Sequence, residues 1–229
     1  MAGAGVKDRA AAARRVGELI RLRAANAQRL GPQDYRNAGA RHGIEPAALH
    51  AFADVESSGA GFTAEGRAVI LYEPHVFSRA TGGQWDGYSP AGVVLSYPKW
   101  VPPGKLPVGC DFHPYQLDQI GRWGLLAFAA ELDFEAALKA CSWGAFQILG
   151  QNHAAIGYPT AWHMVVAFHA GEHAHLDGAL AFIEANGVKD AMRKGDWARV
   201  ITVYNGPGQV KLYLRKFTER LAERRKAYA

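Results

Sequence analysis

Leu49-His50-Ala51-Phe52-Ala53-Asp54-Val55-Glu56-Ser57-Ser58-Gly59 is the stretch on which the fold of this chain turns. Leu49, Phe52 and Ala53 recur at i, i+3 and i+4, which predicts a helix with one apolar face. Glu56 takes the i+7 place on that face, where an apolar side chain is expected. Pro46 opens the helix, and Gly59 and Gly61 close it. A carboxylate that continues a core-facing stripe is partly desolvated, which disfavours its charged form and raises its pKa. A proton retained near neutrality is what a general acid needs. Taken alone, Val55 to Gly59 reads more readily as a capped helix end with a partnered, half-buried acid. Further along, Glu73 closes a short β-like run, Val69-Ile70-Leu71-Tyr72. Two carboxylates at differently solvated positions suit the cleavage of a glycosidic bond.

Outward from there the pattern is helical. Residues 6–29 read as a long Ala- and Arg-rich helix with Val16, Leu19, Ile20 and Leu30 as a weak apolar side, stopped by Gly31-Pro32. A second helix runs from about Asp34 to Gly43, and His75–Thr81 adds a turn or two. Residues 82–113 are rich in Gly and Pro and carry Trp85, Tyr88, Tyr97 and Trp100, which predicts a long irregular segment. Its aromatics are the better candidates for contact with a glycan. Helical patterns then cover roughly 115–132, 134–141, 161–170, 173–185, 197–204 and 210–227. Strand signals are scarce, so the expected fold is mostly α, with a small β element near Glu73.

At 229 residues and 49% hydrophobic, the chain is long enough for one well-cored domain with short extensions. Its net charge of +5 is uneven: residues 1–34 carry +4, residues 211–229 carry +5, and the middle carries −4. An acidic body with two basic ends lacks the continuous positive face of a nucleic-acid binder. Cys110 and Cys141 are too few for a disulfide framework, and whether they pair is open. Lys7, Asp8 and Arg9 stand where an export signal would be apolar, so cytoplasmic synthesis without a signal peptide is expected.

Two other segments carry chemistry. Ser142-Trp143-Gly144-Ala145-Phe146-Gln147-Ile148 joins a close backbone approach, aromatic surface and a forked amide, useful for sugar rings and their acetamido groups. Tyr204-Asn205-Gly206-Pro207 leaves a phenol and an amide at a helix-breaking turn. With Val55 to Gly59, Gly61-Phe62 and Ile70-Leu71-Tyr72-Glu73-Pro74-His75-Val76-Phe77, these motifs in this order resemble the N-acetylmuramidase domain of phage endolysins. That family lies in the lysozyme-like superfamily, beside lytic transglycosylases and goose-type lysozyme. The resemblance covers about residues 34–215. It implies a lysozyme-like helical domain at 34–229, preceded by a basic helical extension at 1–33. It also implies hydrolysis of the β-1,4 bond between N-acetylmuramic acid and N-acetylglucosamine in peptidoglycan, after release to the cell wall. Carried over by residue, Glu56 is the general acid and Glu73 the second acid, with Ser57, Phe146, Gln147, Tyr204 and Asn205 at the saccharide groove. Pro74 stands where the family commonly has a larger polar residue. No metal or organic cofactor is implied, and a monomer is expected.

Three alternatives accompany that reading. A lytic transglycosylase of the same fold would leave a 1,6-anhydro end. A non-catalytic wall-binding module would hold sacculi without releasing fragments. His169-Ala170-Gly171-Glu172-His173 fits H-x-x-E-H, a zinc-peptidase pattern, with His175 and Glu184 nearby as further ligands, although Gly171 interrupts the helix it requires. Finally, Val210–Ala229 sets Leu214, Phe217, Leu221 and Tyr228 against seven Lys and Arg. That pattern suits a helix packed on the core and also contact with anionic lipid or lipopolysaccharide.

Overall fold

The computed structural model describes residues 2–57, 60–102 and 104–229, with the backbone alone for residues 2–9 and 209. Ser58 and Gly59, expected at the end of the central helix, and Pro103 of the long loop lie outside the described residues. The architecture is 60% helical, with eleven α-helices and a three-stranded sheet among the described residues.

The helix bearing Glu56, α3 (Pro46–Ser57), lies at the centre. Leu49, Phe52 and Ala53 are buried as their spacing predicts, and so are Ala47, Ala48 and Ala51. The helix is therefore enclosed on more than one face. Preceding it, α2 (Pro32–His42) ends at Gly43 in the left-handed conformation, close to the predicted bounds. The C-terminal helix α11 (Val210–Tyr228) packs along α3 through Phe217 and Leu221, which are 1% and 3% exposed. The rings of Phe52 and Phe217 stand 4.5 Å apart. Bidentate ion pairs fasten the same two helices: Arg224 to Asp54 at 2.6 Å, and Arg225 to Glu45 at 2.6 and 2.8 Å.

The sheet is antiparallel in the order β1 (Ile70–Tyr72), β2 (Cys141–Trp143), β3 (Ile148–Leu149). Ile70 faces Trp143 and Tyr72 faces Cys141. Only β1 was expected from the sequence; Cys141, assigned there to a helix, begins β2 after α6 (Phe134–Lys139) ends. Cys141 and Cys110 are free thiols, the former buried. Helix α5 (Gln119–Leu132) begins four residues later than its pattern suggested, because Pro114–Gln116 forms a 3₁₀ turn capped by the His113 ring. Helices α7 (Ala161–Phe168), α8 (Glu172–Ala185) and α10 (Trp197–Asn205) follow their patterns. The short α9 (Lys189–Lys194) had no periodic signal of its own.

The first helix departs most from expectation. α1 (Ala2–Arg21) stops eight residues early. Beyond it, the Arg23 guanidinium donates to the Ile20 and Leu22 carbonyls at 2.9 and 2.8 Å. Ala24 and Ala25 donate to Gly66 and His169, at 2.7 and 2.8 Å. These long-range bonds replace the helical ladder. Val16, Leu19 and Leu30 join the common core, whereas Ile20 stays 39% exposed.

Between α7 and α8, the segment with the zinc-peptidase pattern does something else. Gly171 at φ 151° breaks the helix, so His169 (3% exposed) and the largely exposed His173 do not share a helical face. The buried Glu172 accepts from Leu30 N–H at 2.9 Å and Gly61 N–H at 2.6 Å. It is the first residue of α8, where the helix dipole favours a carboxylate. His175, fully buried, accepts from Ala145 N–H through Nδ1 at 3.1 Å and meets the Phe168 carbonyl through Nε2 at 2.9 Å. A Cβ on Gly61 or Gly144 would stand 2.6 or 2.5 Å from that ring, so both positions need glycine for close approach. Among the described residues, no three His, Cys, Asp or Glu side chains are grouped so as to hold a metal ion. The expected outcome of Glu172→Ala is a loss of about 3 kcal/mol in urea unfolding, because two buried N–H groups lose their acceptor.

Candidate functional site

Glu56 occupies the last turn of α3, half-buried, and Asn205 at the end of α10 donates Nδ2–H to its Oε1 at 2.9 Å. Burial pushes the Glu56 pKa up to about 7, against smaller lowering by the Asn205 hydrogen bond and the positive charge of Lys216. The Asn205 Oδ1 is buried without a hydrogen-bond partner among the described residues. A protonated Glu56 would satisfy it if the amide turned over.

Glu73 stands at the junction of β1 and α4 (Pro74–Ala80). Its backbone is extended, φ −116° and ψ 96°, and Pro74 takes the first helical position. The departure at Pro74 therefore suits this geometry, because proline disfavours helical dihedrals in the residue before it and fits the first helical turn. Glu73 N–H donates to the Ala140 carbonyl at 2.8 Å, which ties the strand end to the start of β2. Tyr115 donates its hydroxyl to Glu73 Oε1 at 2.7 Å. Burial again dominates and pushes the Glu73 pKa up to about 7, opposed by the Tyr115 hydrogen bond and by Arg79. His75 Nδ1 lies 3.6 Å from Glu73 Oε2, but burial holds its pKa down to about 4, so it is neutral beside that carboxyl. The expectation of differently solvated acids is thus corrected: both are desolvated, and to a similar degree.

The two carboxyls share a neighbour. Tyr213 of α11 has its pKa raised by burial first, then by the negative charge of Glu56 and of Glu73. The same helix brings Lys216, whose ammonium lies 5.5 Å from the Tyr213 ring.

The remaining predicted residues assemble around Glu56, mostly as supports. Ser57 Oγ donates to the Ala145 carbonyl at 2.8 Å, fixing the end of α3 to the β2–β3 turn. Tyr204 donates its hydroxyl to the Phe146 carbonyl at 2.7 Å, and its ring packs against Phe52 and Phe182. Gln147 holds a left-handed backbone at φ 48°, and its Nε2 donates to the Gly144 and Val69 carbonyls at 2.8 and 3.2 Å. Strain of that kind concentrates at functional positions. Phe146 is the exception. Its ring is 1% exposed and belongs to the core, so it offers no stacking face to a sugar, and only its carbonyl serves the site.

Tyr115 and Tyr213 were missed by the sequence reading. Neither lies in a motif, and each reaches the site only because its element folds against a distant one. Burial and the Glu73 charge push the Tyr115 pKa up, and the exposed Trp100 opposes that rise.

Comparison with known proteins gives a consistent result. A profile of the N-acetylmuramidase family matches residues 45–228. Among solved structures, the endolysin of Burkholderia phage AP3 superposes with a TM-score of 0.70 at 33% identity, covering 89% of this chain and 74% of that one. No curated protein matches.

Two substitutions test the electrostatics. Asn205→Ala removes a donor that favours the Glu56 carboxylate, so the Glu56 pKa should rise and the alkaline limb of the pH–activity curve should move to higher pH. Glu56→Gln bears on stability. A carboxyl whose pKa is raised on folding is favourable to the fold while protonated, and that contribution is lost as pH climbs from about 4.5 to about 7. Thermal melts should therefore show Glu56→Gln more stable than wild type at pH 8, by up to about 3 kcal/mol, with little difference at pH 4.

Proposed function

Because the chain belongs to the N-acetylmuramidase family, we propose that Glu56 and Glu73 are the acid and base of its glycosidic cleavage. The protein is a lysozyme-type peptidoglycan hydrolase, an endolysin that cleaves the β-1,4 bond between N-acetylmuramic acid and N-acetylglucosamine. One observation carries the assignment of residues. Both carboxyls are desolvated to a pKa of about 7, and each is held by one neutral donor, Asn205 or Tyr115.

With both held at about 7, the two carboxyls carry about one proton between them near neutral pH. Glu56, protonated, gives its proton to the O4 leaving oxygen of N-acetylglucosamine. Glu73, ionised, takes a proton from water, and the water oxygen bonds to C1 of N-acetylmuramic acid. The Nδ2–H of Asn205 stabilises Glu56 once it has given up its proton, whereas the Tyr115 hydroxyl stabilises Glu73 in the ionised state that precedes its uptake of a proton from water. Ser57, Gln147 and Tyr204 keep the β2–β3 turn and the end of α3 in register, so that the acid faces the groove.

The transglycosylase reading needs only one acid and leaves Glu73 without a task. A second desolvated carboxyl favours hydrolysis.

The basic helix α11 has its apolar stripe against α3, whereas Lys211, Arg215 and Lys226 are exposed. Contact with anionic lipid or lipopolysaccharide would therefore be electrostatic, without insertion of that stripe. No described helix is long and apolar enough to cross a membrane.

Product analysis of digested peptidoglycan is the direct test. Wild type should release fragments with reducing N-acetylmuramic acid ends and a bell-shaped pH profile with its maximum near 7. Glu56→Gln should lower the rate by about 10³ or more, and Glu73→Gln by about 10² or more. Predominantly 1,6-anhydro products would remove Glu73 from the role of water activator, and wild-type lysis by Glu56→Gln would remove the acid.

A further inference from the structure

Between α4, α6 and the 3₁₀ turn Gly150–Asn152 that follows β3 lies a surface pocket of about 440 Å³. That volume falls within the range of about 300–1,000 Å³ usual for ligand sites. Its polar lining comes from Arg79, Asp133, Glu135, Lys139, Gln151 and His153, and none of these residues belongs to the sequence motifs.

The acids of that lining are committed, and the bases are not. Glu135 pairs through Oε1 with Arg15 at 3.3 Å and accepts from Ala161 N–H through Oε2 at 3.1 Å. One oxygen of Asp133 caps α6 by accepting from Ala136 N–H at 2.9 Å. Arg79, exposed, and Lys139, half-buried, form no ion pair or side-chain hydrogen bond among the described residues. The His153 Nδ1 lies 2.9 Å from the Tyr158 carbonyl, which can only accept, so the ring donates there. In the neutral ring that leaves Nε2 as an acceptor, beside the donor and acceptor of the Gln151 amide. Two unpaired cations next to neutral amide-binding groups suit a short peptide that carries carboxylates.

The pocket adjoins the second acid through both of its helices. α4 begins directly after Glu73 and carries Arg79 in its last turn, about 9 Å further along the axis. α6 ends at Lys139, and the next carbonyl, that of Ala140, accepts from Glu73 N–H at 2.8 Å. In peptidoglycan the lactyl group of N-acetylmuramic acid bears a short peptide with free carboxylates. An extended peptide gains at most about 3.6 Å per residue, so one hung from a sugar at Glu73 covers about 10 Å within three residues. We propose that this pocket receives the stem peptide of the muramic acid unit being cleaved, with its carboxylates on Arg79 and Lys139. This rests on the reading that Glu73 faces substrate. It makes the peptide, and not the glycan alone, part of what the enzyme recognises.

The test compares two substrates with the full chain: uncrosslinked glycan strands that keep their peptides, and the same strands after an amidase has removed them. For wild type, KM should be about tenfold lower on the peptide-bearing strands, with similar kcat. In Lys139→Gln that ratio should fall to about threefold, and in the double variant Arg79→Gln/Lys139→Gln it should approach one. Any influence of Arg79 on the Glu73 pKa falls on both substrates alike and cancels in the ratio. Equal KM on the two substrates in wild type would overturn the proposal. So would a ratio that stays near tenfold in the double variant, since the peptide would then be held elsewhere. Failure of the underlying reading looks different: Glu73→Gln would then cleave both substrates at the wild-type rate, whatever stands at positions 79 and 139.

Discussion

A buried carboxylate that forms no ion pair among the described residues binds this fold together. Glu172 accepts backbone N–H groups from Leu30 and Gly61, segments distant from it in the chain, and begins α8. One helical turn on, His175 takes the Ala145 N–H. The loop leaving the Glu56 helix and the turn carrying Gln147 are thus held by neighbouring side chains of one helix. Buried peptide groups must find partners or cost free energy. Here the partners are side chains, because the segments involved are irregular and cannot pair with one another. Gly61 and Gly144 let the backbone close on the His175 ring, so the same constraint fixes which residues can stand there.

From that hub a line of hydrogen bonds runs to the site. Ala145 offers its carbonyl to Ser57, the Phe146 carbonyl receives Tyr204, and the next residue, Asn205, holds Glu56. Holding two desolvated carboxyls works against stability wherever they are ionised, and the burial around α3 and β1 sustains that cost. The motif residues Ser57, Tyr204 and Gln147 mainly set positions. Their hydroxyl and amide donors go to backbone carbonyls. Asn205 is the motif residue that touches an acid directly.

Much of this was legible in the residue order. The i, i+3, i+4, i+7 pattern around Glu56 gave both the helix and the unusual acid. Gly31-Pro32 and Gly43 marked the bounds of α2, and the apolar stripe of α11 pointed to its buried residues Phe217 and Leu221. Where local signals misled, long-range bonds had replaced local ones. The Ala- and Arg-rich pattern favours helix through residue 29, yet Gly66 and His169 take the N–H groups of Ala24 and Ala25. Strand β3 is two residues long, too short for any alternation to register. Phe146 read as sugar-facing because its motif offered aromatic surface beside a forked amide, and nothing local reveals that its ring turns into the core.

The sequence by itself determined the helical class, the order of the motifs and the family, and it pointed to the two acids proposed above, because periodicity and turn chemistry act within a few residues. Tertiary structure alone decided that Glu73 is as desolvated as Glu56, that Tyr115 and Tyr213 attend the acids, and that H-x-x-E-H is a backbone clamp. Those facts depend on desolvation and on hydrogen bonds between segments 40 to more than 100 residues apart. Neither quantity exists until the chain has closed on itself.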